Sequence, residues 1–131
     1  GAIPDIGAKF ENFVALSLYK DAVLKNDSSG AGYSLGFLRT KESKEVDFAL
    51  ADGENNLIQI VEAKLSDSKT SKTLEYFSKK YKMAGVQLVY NLNAERVSDG
   101  GISIRNAEKY LVGLEQPDTT PPSAPSGVIV N

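Results

Sequence analysis

The chain has no histidine and no cysteine among its 131 residues. That excludes the usual zinc finger, a Ser-His-Asp triad, a cysteine nucleophile and a histidine-based nuclease site. It also excludes a disulfide framework, which fits a reducing compartment, so the chain reads as cytoplasmic. Any resident metal must be held by oxygen, which favours Mg2+ or Mn2+ over zinc. No phosphate loop of the form G-x-x-x-x-G-K-[ST] is present, so ATP is not bound through that motif. No apolar stretch reaches the roughly 20 residues a membrane helix needs, and no charged region precedes an apolar core at the N-terminus, so no signal peptide is read. Arginine is scarce, limited to Arg39, Arg96 and Arg105, and the net charge is −2. Both argue against a strongly basic nucleic-acid clamp.

What is present is ordinary for a globular protein: 41% apolar and 24% charged residues. Residues 1–115 read as one domain with room for a core, and 116–131 as a proline-rich linker or tail holding Pro117, Pro121, Pro122 and Pro125. Phe10, Phe13, Val14, Leu18, Ala22 and Val23 recur at helical spacing and predict a helix over 8–25, broken by Asn26-Asp27-Ser28-Ser29-Gly30. Strands follow at 33–40, 44–51 and 57–65, joined by short polar links as in an antiparallel meander. A polar segment with capping residues, 66–71, leads to a second helix over 73–82. A fourth strand runs to Tyr90 and a weaker one covers 102–105, after which Asn106 is placed to cap a short helix through Leu111. The order α-β-β-β-α-β, with a β-α extension, predicts an α/β fold: a mixed central sheet flanked by helices.

Charged residues seldom enter apolar strands unless they are paired, bind metal or do chemistry. Asp47 lies within Val46-Asp47-Phe48-Ala49-Leu50, and Glu62 and Lys64 end the next strand. Residues two apart in a strand share a face, which places Glu62 and Lys64 with Ile58 and Ile60, at the rim of the buried face. Asp47, one strand away, comes near Glu62. Two close carboxylates repel unless a proton or a cation intervenes. A divalent ion with oxygen ligands removes the conflict and suits phosphodiester chemistry. Glu11 shares a helical stripe with Ala15, Leu18 and Ala22, and from there it would complete the acidic cluster; the plainer reading puts it in the first helical turn, facing the helix dipole. The plainer reading of the strand trio is a structural salt bridge to Lys64. Lys69, Lys72, Lys79 and Lys80 crowd one segment after the trio, either as a solvated helix face or as a phosphate-contacting surface.

Three segments carry a resemblance: Gly7-Ala8-Lys9-Phe10-Glu11-Asn12-Phe13-Val14-Ala15-Leu16, Arg39-Thr40-Lys41 leading to Lys44-Glu45-Val46-Asp47-Phe48, and Ile60-Val61-Glu62-Ala63-Lys64. Together they resemble the PD-(D/E)xK nuclease superfamily, with its restriction-endonuclease-like αβββαβ core. More closely they resemble the DUF4143 domain found at the C-terminus of many prokaryotic AAA+ ATPases. The resemblance implies Asp47 and Glu62 as ligands of Mg2+ or Mn2+, with the Ala63 carbonyl as a third, Lys64 as catalytic lysine and Glu11 as the helix-borne acid. It implies nucleic acid, DNA before RNA, as substrate, and an ATPase domain in the full-length protein. Val46 stands where the superfamily usually has proline, and the second helix lacks the Gln-x-x-x-Tyr motif of its RecB-like branch. The competing function is a non-catalytic module of the same fold, for oligomerisation or for docking an AAA+ ATPase. It would present a large exposed apolar patch.

Overall fold

The computed structural model describes residues 5–42, 44–66 and 69–115, the last without its side chain. The proposed linker at 116–131 lies outside them. In chain order the elements are α1 (Ile6–Ser29), β1 (Ser34–Arg39), β2 (Glu45–Ala51), β3 (Leu57–Lys64), α2 (Lys72–Tyr81), β4 (Gly85–Val89), β5 (Arg96–Val97), β6 (Ser103–Asn106) and α3 (Ala107–Glu115). The α/β order expected from the sequence is present. The two-residue strand β5 is additional; exposed Arg96 and Val97 carry no alternation from which to read it.

The first helix is longer than its apolar periodicity predicts. Asp5 starts it by accepting the Ala8 N–H on Oδ1 at 3.1 Å. At the other end the run Asn26 to Ser29 stays helical. The Ser28 and Ser29 hydroxyls donate to the Lys25 carbonyl, and the Asn26 side chain pairs with both backbone groups of Tyr33. These polar side chains are satisfied without displacing the helical bonds, so the helix ends only at Gly30, whose φ of 68° is left-handed.

The described strands form one sheet in the order β1-β2-β3-β4-β6-β5. The meander β1-β2-β3 is antiparallel. β3 pairs with β4 in parallel, with α2 as the connection, and β4 pairs with β6 in parallel. The β1–β2 register carries a bulge: Leu38 faces Val46, but Gly36 faces Ala49, so Asp47 and Phe48 span a stretch with one extra residue. A bulge re-aims the side chains it contains.

Both faces of the sheet are covered. On one, Leu74 and Phe77 of α2 pack on Val46, Ala49, Ile60, Val89 and Ile104. Gly85 opens β4 beneath this helix, where a Cβ would come within 3.0 Å of Leu74 Cδ1. On the other, Phe10 and Val14 of α1 and Leu111 of α3 pack on Val61, Ala63, Val86 and Leu88. No helix among the described residues is long and apolar enough to cross a membrane.

Candidate active site

The site lies where β2 and β3 part. Their ladder extends only to the pair Phe48–Val61. Beyond it, side chains take over the backbone bonding. The Ala63 N–H donates to Asp47 Oδ2 at 2.9 Å, and the Asp47 N–H donates to Glu62 Oε1 at 3.2 Å. Each carboxylate is thus fixed by the other strand's backbone. The Lys64 carbonyl accepts from the Tyr90 N–H on the β4 side. Backbone groups of successive strand residues point to opposite edges, so the Ala63 carbonyl faces β2, on the Asp47 side.

Glu62 is buried, 7% exposed. This corrects the expected rim position: Ile58, on the same face, is 40% exposed, and the face closes toward the Glu62 end under α2. Burial pushes the Glu62 carboxyl above its ordinary range. The Ser71 hydroxyl opposes this, and the Asp47 charge adds to it. Ser71 Oγ donates to Glu62 Oε2 at 2.7 Å while accepting the Leu74 N–H at 3.1 Å as the cap of α2. Helix capping and carboxylate positioning therefore converge on one hydroxyl.

Glu11 is a second correction. It lies beside the buried stripe of Phe10, Val14 and Ala22 but is itself exposed. Because α1 begins at Ile6, Glu11 is also past the first turn, which contains no acid. Its carboxyl is nevertheless raised above its ordinary value, by partial desolvation and then by Asp47 and Asp5. The fold thus brings Glu11 within the electrostatic reach of Asp47.

Lys64 is half-buried and its charge favours ionised Glu62. The ion pairs among the described residues are Lys25–Asp21, Arg39–Glu45 and Arg105–Glu95. Lys64 belongs to none of them, so it is not held as a structural salt bridge within that set.

The lysine-rich segment divides along α2. Lys69 and Lys72 lie at its start, near the Glu62 end of β3, and line an open groove with Glu75, Arg96 and Asp99. Lys79 and Lys80 lie in the last turn, about 12 Å further along at 1.5 Å per residue. There Lys80 Nζ lies 5.9 Å from the Tyr76 ring centroid and 5.6 Å from that of Tyr81.

Sequence reasoning missed Gln87. It is β4's register partner of Glu62, fully buried, and its Oε1 accepts the Ser71 N–H at 2.8 Å. Among the described residues its Nε2 has no acceptor; a buried donor left unpaired costs about 1–3 kcal/mol. The available signal was a glutamine in the otherwise apolar run Val86 to Val89.

Asp47 and Glu62 are the side chains that a divalent cation could use, with the Ala63 carbonyl beside them. Among the described residues no three acidic side chains form a ready cage. Two carboxylates completed by water and substrate oxygens is nonetheless a common mode for Mg2+. The raised carboxyls of Glu62 and Glu11, each pushed up in part by Asp47, describe crowded negative charge that a cation would relieve.

Fold and site together define a mixed α/β domain with a carboxylate–lysine cluster where an antiparallel meander meets a parallel pair. The model of the family described as a domain of unknown function, DUF4143, matches residues 6–110, and the chain belongs to that family. Searches of curated proteins and of solved structures give no match.

Proposed function

We propose that this domain is a cytoplasmic Mg2+- or Mn2+-dependent nuclease of the PD-(D/E)xK type, acting on DNA and less readily on RNA. The observation that carries the reading is the Asp47–Glu62 exchange: two carboxylates held by each other's strands at a buried end, beside a lysine outside the described ion pairs. In this reading Asp47, Glu62 and the Ala63 carbonyl hold the ion. Bound there, a divalent cation supplies an activated water and stabilises charge on the phosphate. Lys64 stabilises charge developing at the reacting phosphate. Glu11 orients the approach from α1, and Lys69 and Lys72 meet the nucleic-acid backbone, with Lys79 and Lys80 as more distant contacts.

The test is calorimetric titration of Mn2+ and Mg2+, with and without a DNA oligonucleotide, on the wild type and on Asp47→Asn/Glu62→Gln. A cleavage screen on DNA and RNA follows. The reading expects saturable binding that the double variant loses, and cleavage that follows binding. Absence of binding with and without DNA overturns it.

One observation favours the second reading, a docking module serving an AAA+ ATPase domain of a longer protein. The outer face of α1 exposes Phe13, Leu16, Tyr19 and Leu24, with Val112 of α3 also exposed. Large apolar side chains exposed together mark an interface when they form one patch. Phe13→Lys with Leu16→Glu would then abolish association with the ATPase domain while leaving metal binding intact.

A further inference from the structure

Glu62 and Gln87 are register partners across the parallel β3–β4 pair, so both side chains leave the sheet on the face that α2 covers. Ser71 bonds to both. Its hydroxyl donates to Glu62 Oε2 at 2.7 Å, and its backbone N–H donates to Gln87 Oε1 at 2.8 Å. The chain Gln87–Ser71–Glu62 therefore joins β4, the start of α2 and the end of β3. At its far end Gln87 is fully buried, and among the described residues its Nε2 has no acceptor. The orientation of the amide follows from chemistry. A backbone N–H only donates, so the atom facing Ser71 is the oxygen, and the nitrogen is the free end.

We infer that Gln87 is a positioning residue for Glu62, acting through Ser71, and that its amide nitrogen takes an oxygen of the loaded site. This rests on the metal-dependent reading above. A ligand carboxylate must be held in one orientation to bind an ion tightly, and residues that hold it contribute to affinity without touching the metal. Ser71 provides that hold, and Gln87 fixes the backbone of Ser71. In this inference the acceptor for Gln87 Nε2 would be an oxygen atom, carried either by a metal-bound water or by a phosphate.

The experiment measures Mn2+ affinity by calorimetry, with and without a DNA oligonucleotide. The proteins are the wild type, Ser71→Ala, Ser71→Thr, Gln87→Met and Gln87→Glu, each checked for folding by circular dichroism. Ser71→Ala and Gln87→Met are expected to weaken binding about 10- to 100-fold, and Ser71→Thr, which keeps the hydroxyl, to restore it. Gln87→Glu keeps the acceptor for Ser71 and removes the donors. Weakening by this variant with Mn2+ alone identifies a metal-bound water, and weakening only with the oligonucleotide identifies a phosphate. No weakening in either condition overturns the donor role. Wild-type affinity in folded Ser71→Ala and Gln87→Met overturns the positioning role and leaves the nuclease reading standing. If Gln87→Met does not fold, Gln87→Leu and Gln87→Glu decide for Gln87, and the Ser71 pair decides only for the hydroxyl. A wild type that binds no Mn2+ in either condition removes the reading and this inference together.

Discussion

The Asp47 N–H donates to Glu62 Oε1 across the gap where β2 and β3 stop pairing. The Ala63 N–H donates in turn to Asp47 Oδ2, so each carboxylate is fixed by the other strand's backbone. Glu62 is buried there with a raised carboxyl, which makes it a candidate for exchanging stability against function.

In metal-free protein, Glu62→Gln should raise stability at neutral pH by about 1 kcal/mol. The sign follows from linkage. A carboxyl whose folded pKa is raised binds its proton more readily in the folded state, so its ionisation opposes folding. The opposition grows as pH rises from the ordinary glutamate range through the raised folded value, and it is absent below that range. Urea denaturation with chelator present, at neutral pH and again near pH 3, should show a gain that disappears in acid. Destabilisation at neutral pH would mean that the bonds to Ser71 and Asp47 outweigh burial.

Lys64→Met should change stability by less than about 0.5 kcal/mol, because Lys64 is outside the described ion pairs. On the nuclease reading it should abolish cleavage while Mn2+ binding survives. Thermal melts together with a cleavage assay separate this from a structural role, for which the melting temperature would fall by several degrees.

The turn between β2 and β3 should titrate in the opposite sense to Glu62. Asp52 Oδ1 accepts the N–H groups of Glu54 and Asn56, each at 2.9 Å, and the bond from Asn56 leads in lowering its carboxyl. A lowered folded pKa contributes stability that is present above the unfolded pKa and lost as pH falls through the folded one. Asp52→Ala should therefore be less stable than wild type at neutral pH, and the difference should shrink toward zero near pH 2, below the ordinary aspartate range. Paired denaturation curves across that window test it. A difference independent of pH would assign the effect to backbone preference instead.

Lys82 closes α2 in a left-handed conformation, φ 53°, which a side chain adopts at a cost and glycine does not. Lys82→Gly should raise stability by about 0.5–1 kcal/mol. An unchanged or lower urea midpoint would show that the lysine side chain contributes more than its backbone conformation costs.

Much of the element order was legible in the sequence because the apolar spacing is strong where an element has one buried face. Phe10, Val14 and Ala22 define α1, and Leu74 and Phe77 define α2. The bounds of α1 were misread because composition alone does not reveal whether Asn26, Ser28 and Ser29 break a helix or bond within it. Asp47, Glu62 and Lys64 stood out as charges in apolar strands. Glu11 was placed too deep, because helical phase alone does not say how far a neighbouring strand covers the flank of a stripe.

By itself the sequence determined which chemistries are open to this chain: without histidine or cysteine, the polar side chains of any site are carboxylates, amides, hydroxyls, lysine and arginine. It also determined the alternation of strand and helix, since period and capping are local properties. Only the tertiary structure decided that Ser71 and Gln87 belong to the Glu62 cluster. Ser71 reads as an ordinary cap and Gln87 as an isolated polar residue in a strand. Their meeting depends on the parallel β3–β4 register and on how α2 crosses above it. The hydrophobic pattern fixes which face each strand residue takes, but which distant strands become neighbours is decided by packing on both faces of the sheet.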